Sequence, residues 1–253
     1  MAIITLLTDF SDKDYYVSIF KGDLLTTCPS VQIVDISNSI PSYDIYAAAL
    51  FLKSTYHHFP KNTIHIIRVF EKGIKHQQLL AMKYKDYYFI APDNGILTLA
   101  LEEKPDLMVR IDDLQLKTLD EYYCRVVKEI VFNNNIGSIG KATNDYVVLK
   151  DFKPALNNDN IEGQVIYIDS FGNVISNIRK KDIEEYGDDI NFRIYYRRKD
   201  YIDKFVNNYA DVPRGMAMAY FNSVGYLEIG INYGPAAQLL GLKIGSLIKI
   251  EII

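Results

Sequence analysis

Two carboxylates near the start of the chain lie where a ligand could be held. The apolar run at residues 4–7 ends at Thr8 and Asp9, and Asp14 follows just as a helical pattern begins. In an open α/β sheet, ligands bind outside the carboxyl ends of the strands, next to helix N-termini. Asp9 and Asp14 therefore suit a ribose-type diol or a cationic ligand. The alternative is that Asp14 caps the helix and Asp9 fills a turn.

The composition is typical of a globular protein with a sizeable core. Of the 253 residues, 49% are hydrophobic and 24% are charged, enough for one large domain or two ordinary ones. The net charge of −4, without a basic stripe, argues against a nucleic-acid partner. No apolar run reaches the roughly 18 residues of a spanning helix, so no membrane partner is expected.

The cysteines and histidines indicate a reduced compartment and no metal site. Cys28 and Cys124 are the only cysteines and have no CxxC spacing, which favours the cytoplasm and argues against a thiol metal site. The 4 histidines match no metal-binding pattern. The N-terminus begins with a strand pattern and lacks the features of a signal peptide.

Strand and helix patterns alternate through residues 1–155. We predict strands at residues 2–7, 31–36, 63–70, 79–82 and 87–91, and helices at residues 14–27, 41–56, 97–101 and 119–132. Such alternation predicts an α/β domain with a largely parallel sheet flanked by helices.

The alternation stops near residue 150, and a second domain is expected at residues 160–253. The polar, turn-rich residues 157–160 are predicted to be a linker. Short β patterns follow at residues 161–168, 191–196, 216–221, 225–231 and 246–253. Turn signals separate them, which predicts a smaller, all-β barrel.

Short segments spread along nearly the whole chain carry a family pattern. They read TDFSxxD at 8–14, VDISxxIP at 34–41, APDNGIL at 91–97, IDxFGNxxxN at 168–177 and NSxGYLEI at 222–229. In this order and spacing they resemble the S-adenosylmethionine hydroxide adenosyltransferase family, whose superfamily includes fluorinating and chlorinating enzymes. Each segment also has a structural interpretation, as a hairpin turn for residues 171–173 or a turn into a helix for residues 93–95.

The resemblance implies a homotrimer whose ligand, S-adenosylmethionine or adenosine, lies between one subunit's N-terminal domain and its neighbour's barrel. It implies no cofactor. The positions that would contact this ligand are Asp9 at the ribose hydroxyls, Asp14 and Tyr16 near the methionine end, Tyr43 beside the sugar, Phe171 and Asn173 at the adenine, Ser223 near the methionine carboxylate, and Glu228 and Ile231 close by. Phe70 also belongs to the substrate-binding set, without an assigned part of the ligand.

The chemistry implied is cleavage at the ribose 5′-carbon, giving adenosine and methionine. The sulfonium is already a good leaving group, so an enzyme need only align a nucleophile and exclude bulk water. Hydroxide-transferring members of the family use an Asp–Arg–His set to activate water. Aligned with that set, this chain has Phe70, Gln78 and Tyr123, so its catalytic residues are unknown and the water-activating set is substituted.

Three interpretations of this substitution remain open. In the first, hydrolysis persists with Glu71 or His76 in place of the substituted set. Consecutive residues of a strand face opposite sides, so Glu71 would need a rearrangement of the loop to take the place of Phe70. Alternatively, another nucleophile such as chloride is used: halide-using relatives carry an aromatic residue at the position of Phe70, and Arg68 or Arg125 could supply positive charge. The third interpretation is an adenosine- or S-adenosylmethionine-binding protein without turnover.

Overall fold

The computed structural model divides into two compact units, Met1–Lys150 and Asp151–Ile253. It describes residues 1–71, 78–111, 117–184, 186–187 and 191–253. His76, one of the candidate catalytic residues, lies outside the described residues. In the described part of the chain, no helix is long and apolar enough to cross a membrane.

The first unit is built on a mixed sheet. Its strands are β1 Ile3–Thr8, β2 Gln32–Ser37, β3 Ile64–Arg68, β4 Leu79–Tyr84, β5 Tyr87–Pro92, β6 Leu107–Ile111 and β7 Gly140–Ala142. They are arranged in the order β2-β1-β3-β5-β4-β6-β7. β2, β1, β3 and β5 pair in parallel, whereas β4, β6 and β7 join in antiparallel pairs. The prediction of a largely parallel sheet was therefore wrong for half of it, because the short β4–β5 connection permits only a hairpin.

Helices of the first unit begin close to the predicted residues. They are α1 Tyr16–Thr27, α2 Ile45–Thr55, α3 Ile96–Ala100 and α4 Leu119–Asn133. The Asp44 carboxylate caps α2 by accepting the Ala47 N–H at 2.9 Å. Tyr15 stands at the N-cap of α1 without a side-chain cap bond, so the alternative in which Asp14 caps this helix is wrong.

One face of this sheet forms the main core of the first unit. Ile4, Leu6 and Ile66 of the strands pack with Phe20 of α1 and Tyr123 of α4. These side chains alternate along β1 and β3, as expected for strands that bury both faces.

The opposite face carries an aromatic cluster around a buried histidine. The His65 ring stacks on Phe89 at 5.0 Å and lies 6.3 Å from Tyr56, which directly follows α2. Residues on alternate positions of β3 therefore face different helices.

The second unit is a barrel-like antiparallel sheet. Its strands are β8 Ala155–Asn157, β9 Asn160–Ile168, β10 Val174–Arg179, β11 Phe192–Tyr195, β12 Tyr201–Ile202, β13 Ala217–Phe221, β14 Tyr226–Ile231 and β15 Leu247–Ile252. They run in the order β12-β11-β15-β9-β10-β14-β13, with β8 paired to β9. Phe205, just after β12, bridges to Ala219 of β13 and brings the two ends of the sheet together.

Two expectations for the second unit need correction. Asn157 pairs with Asn160 across the β8–β9 hairpin, so this segment is a turn within the unit rather than a linker. The unit is also not all-β, because the described residues include the short helices α5 Lys180–Glu184 and α6 Ala236–Leu240. Ala236 and Ala237 of α6 pack into the barrel core.

Candidate functional site

Three loops of the first unit meet at the carboxylate of Asp9. Because β2, β1 and β3 are parallel neighbours, the loops that follow them lie at one edge of the sheet. Asp9 Oδ2 accepts the backbone N–H of Tyr43 at 2.9 Å and that of Phe70 at 3.2 Å. Both bonds use the same oxygen, and among the described residues Oδ1 accepts no hydrogen bond. In this geometry Oδ1 can accept a hydrogen bond from the hydroxyl of a ligand.

The same three loops each hold a residue in a strained conformation. Ser11, Tyr43 and Phe70 have φ values of 68°, 67° and 55°, in the left-handed region that favours glycine. Such residues cost on the order of 1–3 kcal/mol each and accumulate at functional sites. The Tyr43 ring is 68% exposed and lies 5.6 Å from that of Phe70, edge to face. The edge thus presents two aromatic rings beside a carboxylate.

The Asp93-Asn94-Gly95 segment supports this edge from behind. The Asn94 amide donates to the Val69 carbonyl at 3.0 Å, directly before Phe70. Asp93 pairs with Arg110 at 3.2 Å and accepts a backbone N–H as well. The segment accordingly acts as a turn into α3 that positions the loop after β3.

A buried ionic cluster lies directly behind the loop after β3. The Arg68 side chain is 5% exposed and pairs with Glu71 at 2.9 Å and Asp120 at 2.6 Å. Its guanidinium also lies 4.3 Å from the centre of the Phe20 ring. Arg68 is therefore neutralised inside the protein and offers no free positive charge to an anion, whereas Arg125 is exposed on α4.

Tyr123 belongs to this cluster. Its hydroxyl donates to Glu71 Oε1 at 2.7 Å and lies 3.2 Å from the Ile67 carbonyl oxygen. Complete burial raises the pKa of Tyr123 well above its ordinary value, and the neighbouring Glu71 carboxylate raises it further. The phenol stays protonated at neutral pH and acts as a hydrogen-bond donor.

The three positions that the resemblance aligns with the water-activating set lie in different surroundings. Phe70 lies at the Asp9 edge, Tyr123 is buried against Glu71, and Gln78 is exposed, with its carbonyl accepting the Asp93 N–H at 2.8 Å. Glu71, which directly follows Phe70, accepts a hydrogen bond from the Tyr123 hydroxyl at 2.7 Å.

Asp14 and Tyr16 lie at the start of α1 and are both exposed. Tyr16 packs its ring against those of Tyr15 and Phe10, at 4.6 and 6.2 Å. Through Phe10, which follows Asp9, Tyr16 is near the carboxylate edge. Asp14 makes no side-chain hydrogen bond with the described residues.

An open aromatic pocket of about 520 Å³ lies in the second unit. Its lining residues are Phe171, Asn173, Tyr209, Tyr233, Gly234 and Pro235. Phe171 and Tyr233 are 79% and 81% exposed, unusually high values for aromatic side chains. Gly172 has a φ of 83°, and a Cβ there would approach Pro235 to 2.8 Å, so the Phe-Gly-Asn turn requires glycine.

A chain of hydrogen bonds leads from this pocket into the barrel. The Asn173 amide donates to Asp169 at 3.0 Å and to the Tyr209 hydroxyl at 2.8 Å. Tyr209 in turn meets the Tyr220 hydroxyl at 2.7 Å, and Tyr220 donates to Glu228. Because both amide hydrogens of Asn173 are used, the group it retains for a purine edge is its carbonyl oxygen, rather than a donor and an acceptor together.

The other candidate residues of the second unit fall into two environments. Glu228 is buried, and its second oxygen accepts the Asn222 amide at 3.2 Å. Ser223 is exposed in the turn that follows Asn222. Ile231 is buried, and its carbonyl accepts the Gly234 N–H at 3.1 Å beside the pocket.

Sequence reasoning missed several residues of these sites. Tyr209 and Tyr220 carry no motif, and their pairing depends on the register of the barrel. Tyr233 and Pro235 could have been found, because Asn-Tyr-Gly-Pro after a strand is a strong turn signal. Among the described residues, no group of three or more His, Cys, Asp or Glu side chains is arranged to hold a metal ion.

Models of one protein family match most of this chain. Models of the S-adenosylmethionine hydroxide adenosyltransferase N-terminal and C-terminal domains match residues 4–127 and 163–249. The chain belongs to the S-adenosylmethionine hydroxide adenosyltransferase family. The Asp9 edge and the aromatic pocket of this family member both lie within the matched residues.

Relatives of this adenosyltransferase-family protein align over nearly the full chain. An (R)-S-adenosyl-L-methionine hydrolase of Methanocaldococcus jannaschii is 31% identical, over 99% of this chain and 95% of the relative. A fluorinase of Actinoplanes sp. is 24% identical, over 98% and 97%. A crystal structure of a conserved protein from Thermotoga maritima has a TM-score of 0.86 and 28% identity, covering 99% of each chain.

Proposed function

We propose that the protein binds S-adenosylmethionine and cleaves it at the ribose 5′-carbon to give adenosine and methionine. The observation that carries this proposal is the Asp9 carboxylate, which is fixed by two backbone N–H groups and has one oxygen without a partner among the described residues. A carboxylate held in this way can accept hydrogen bonds from the ribose hydroxyls. The hydrolases among the relatives support the same reaction.

The reaction needs little covalent chemistry from the protein. A water oxygen attacks the 5′-carbon, and the carbon–sulfur electron pair returns to sulfur, which leaves as the neutral thioether of methionine. One proton from the attacking water passes to solvent. Because the sulfur is already a sulfonium cation in the substrate and leaves as a neutral thioether, we propose that no metal or other cofactor takes part. Positioning and exclusion of bulk water supply the rate enhancement.

Glu71 and Phe70 are the residues that bear on which nucleophile attacks the 5′-carbon. Glu71 is a poor general base here, because Arg68 and Tyr123 engage its carboxylate oxygens. With Phe70 at the position aligned with the family's aspartate, we expect slow hydrolysis. The same substitution favours two alternatives, which are binding without turnover and transfer of the adenosyl group to chloride.

We further propose that the aromatic pocket of the second unit receives the adenine. Flat, exposed rings such as Phe171 and Tyr233 stack well on a purine. Asp14, Tyr16 and Ser223 are then left for the methionine portion.

We also propose a cytoplasmic homotrimer that binds this small molecule and no nucleic acid, with each ligand shared between neighbouring subunits. The exposed aromatic residues of both candidate sites support burial in such an assembly, and the two buried, free cysteines support a reducing compartment. Light scattering in solution checks the trimer directly.

Turnover can be tested with purified protein and S-adenosylmethionine, with and without chloride. We expect equal amounts of adenosine and methionine by chromatography, at a rate that chloride does not change. Chloride-dependent 5′-chloroadenosine would favour the halide alternative. Binding by calorimetry without any product would contradict the enzyme proposal, and no binding would contradict the ligand as well.

A further inference from the structure

We propose that Arg68, Glu71 and Tyr123 are positioning residues that hold Phe70 so that its backbone N–H donates to Asp9. The ligand arm of this proposal rests on the proposed function, whereas its structural arm does not. We call these three residues the clamp. They lie behind the ligand edge and act through the backbone of the loop after β3.

The backbone from Ile67 to Phe70 is held at successive peptide groups. The Ile67 carbonyl lies 3.2 Å from the Tyr123 hydroxyl, and the Arg68 carbonyl accepts the Asp9 N–H at 3.3 Å. The Phe70 N–H then reaches Asp9 Oδ2 at 3.2 Å. The loop and the carboxylate are therefore one connected unit.

The side chains on either side of Phe70 close this loop. The Arg68 guanidinium bonds Glu71 through Nε at 3.1 Å and Nη2 at 2.9 Å, a two-pronged pairing with defined geometry. Because Phe70 lies between the two partners, their pairing restrains its φ of 55°. A residue other than glycine keeps such a conformation only when its surroundings impose it.

Tyr123 completes the clamp from α4. Its hydroxyl donates to the Glu71 carboxylate at 2.7 Å, and its side chain is fully buried. A side chain without solvent access cannot touch a bound nucleoside. Any effect of Tyr123 on ligand affinity must pass through Glu71 and the Phe70 backbone, which makes it the most informative residue to change.

The structural arm compares Tyr123→Phe with Tyr88→Phe in the ligand-free protein. Both substitutions remove only a hydroxyl from a buried tyrosine of the same core, and Tyr88 donates instead to Asn134 at 2.9 Å. We expect hydrogen exchange of the Phe70 amide to accelerate about tenfold in Tyr123→Phe and to stay unchanged in Tyr88→Phe. Equal exchange of this amide in both variants and the unaltered protein would overturn the proposal.

The ligand arm measures adenosine affinity by calorimetry, with Glu71→Gln as a second variant. We expect about tenfold weaker binding for Tyr123→Phe and Glu71→Gln, the effect of one weakened hydrogen bond to a charged group, and unaltered binding for Tyr88→Phe. A lower kcat with unchanged affinity and KM would mean that the cluster activates water, which would overturn the positioning role. If the unaltered protein binds no adenosine, the proposed function fails while the exchange experiment still decides the clamp.

Discussion

The Tyr43 backbone N–H donates to Asp9 Oδ2 at 2.9 Å, although the two residues are 34 positions apart. This bond connects the loop after β2 to the end of β1. It fixes one carboxylate oxygen and turns the other away from the backbone donors. A ligand that binds this oxygen meets a group whose orientation is already set, which lowers the entropic cost of binding.

Replacing Asp9 with alanine tests this anchor. Hydrogen bonds to charged groups contribute about 1.5–3 kcal/mol, so adenosine affinity should fall about 10- to 100-fold in Asp9→Ala. Asp12→Ala is the matched control, because Asp12 is an exposed carboxylate of the same loop that accepts a hydrogen bond from the Ser39 hydroxyl at 2.9 Å. Calorimetry that gives the same affinity for Asp9→Ala and Asp12→Ala would reduce Asp9 to a turn residue.

Restoring the water-activating groups should accelerate hydrolysis. Aspartate tolerates the left-handed backbone of position 70 better than phenylalanine does, so Phe70→Asp with Gln78→Arg should fold. General base catalysis contributes about 100- to 10,000-fold when complete, and we expect at least about a tenfold rise in kcat from this partial set.

The control for this experiment is Phe70→Asn with Gln78→Arg, which has the same shape without the carboxylate. Adenosine formation by the two double variants is compared at saturating S-adenosylmethionine. Equal rates would show that position 70 is not where water is activated in this protein.

Removing the exposed rings of the aromatic pocket should weaken adenosine binding. Stacking of a base on an aromatic side chain contributes about 1–3 kcal/mol, so Phe171→Ala and Tyr233→Ala should each weaken adenosine binding about 5- to 100-fold. Both side chains are highly exposed, and we expect little change in the free energy of unfolding. Tyr201→Ala removes another exposed aromatic of the second unit and should bind adenosine normally. Indistinguishable affinities for all three variants would remove the pocket from the ligand site.

Because His65 is buried, we expect the first unit to lose folding stability in acid. Its Nδ1 bonds Thr5 at 2.7 Å, and burial lowers its pKa from 6.5 to about 3. Below pH 6.5 the unfolded chain binds a proton at this histidine that the folded chain does not. Stability is therefore lost as the pH falls from 6.5 toward 3, by about 2 kcal/mol at pH 5.

Urea unfolding at about pH 7.5 and pH 5 measures this effect. His65→Asn removes the titrating group, so the difference in unfolding free energy between the two pH values should shrink by about 2 kcal/mol. The exposed variant His58→Gln should keep the full difference. A pH dependence that survives in His65→Asn would assign the acid sensitivity to other groups.

Local pattern was enough to predict most elements of this fold. The apolar run of β1 and the periodic face of α4 were found within one or two residues, because each pattern is set by its own side chains. Strands β6 and β7 were not predicted, and their antiparallel pairing depends on neighbours distant in sequence. Strand β10 was missed because its apolar residues directly follow the Phe-Gly-Asn turn.

The site was predictable in part for the same reason. Asp9 was found from its position after a strand, but its bonds to the Tyr43 and Phe70 N–H groups come from long-range packing that leaves no motif. Arg68 was considered as a free cation, whereas the fold pairs it with Glu71 and Asp120. Its neutralisation depends on α4, which the strand pattern around Arg68 cannot reveal.

Turnover in oxygen-18-labelled water tests the central claim most directly. The protein is incubated with S-adenosylmethionine, and the adenosine formed is analysed by mass spectrometry. We predict one labelled oxygen at the 5′-position of adenosine, together with unlabelled methionine, and loss of this product in Asp9→Ala. Adenosine without the label, or no adenosine at all from a protein that binds S-adenosylmethionine, would contradict hydrolysis at the 5′-carbon.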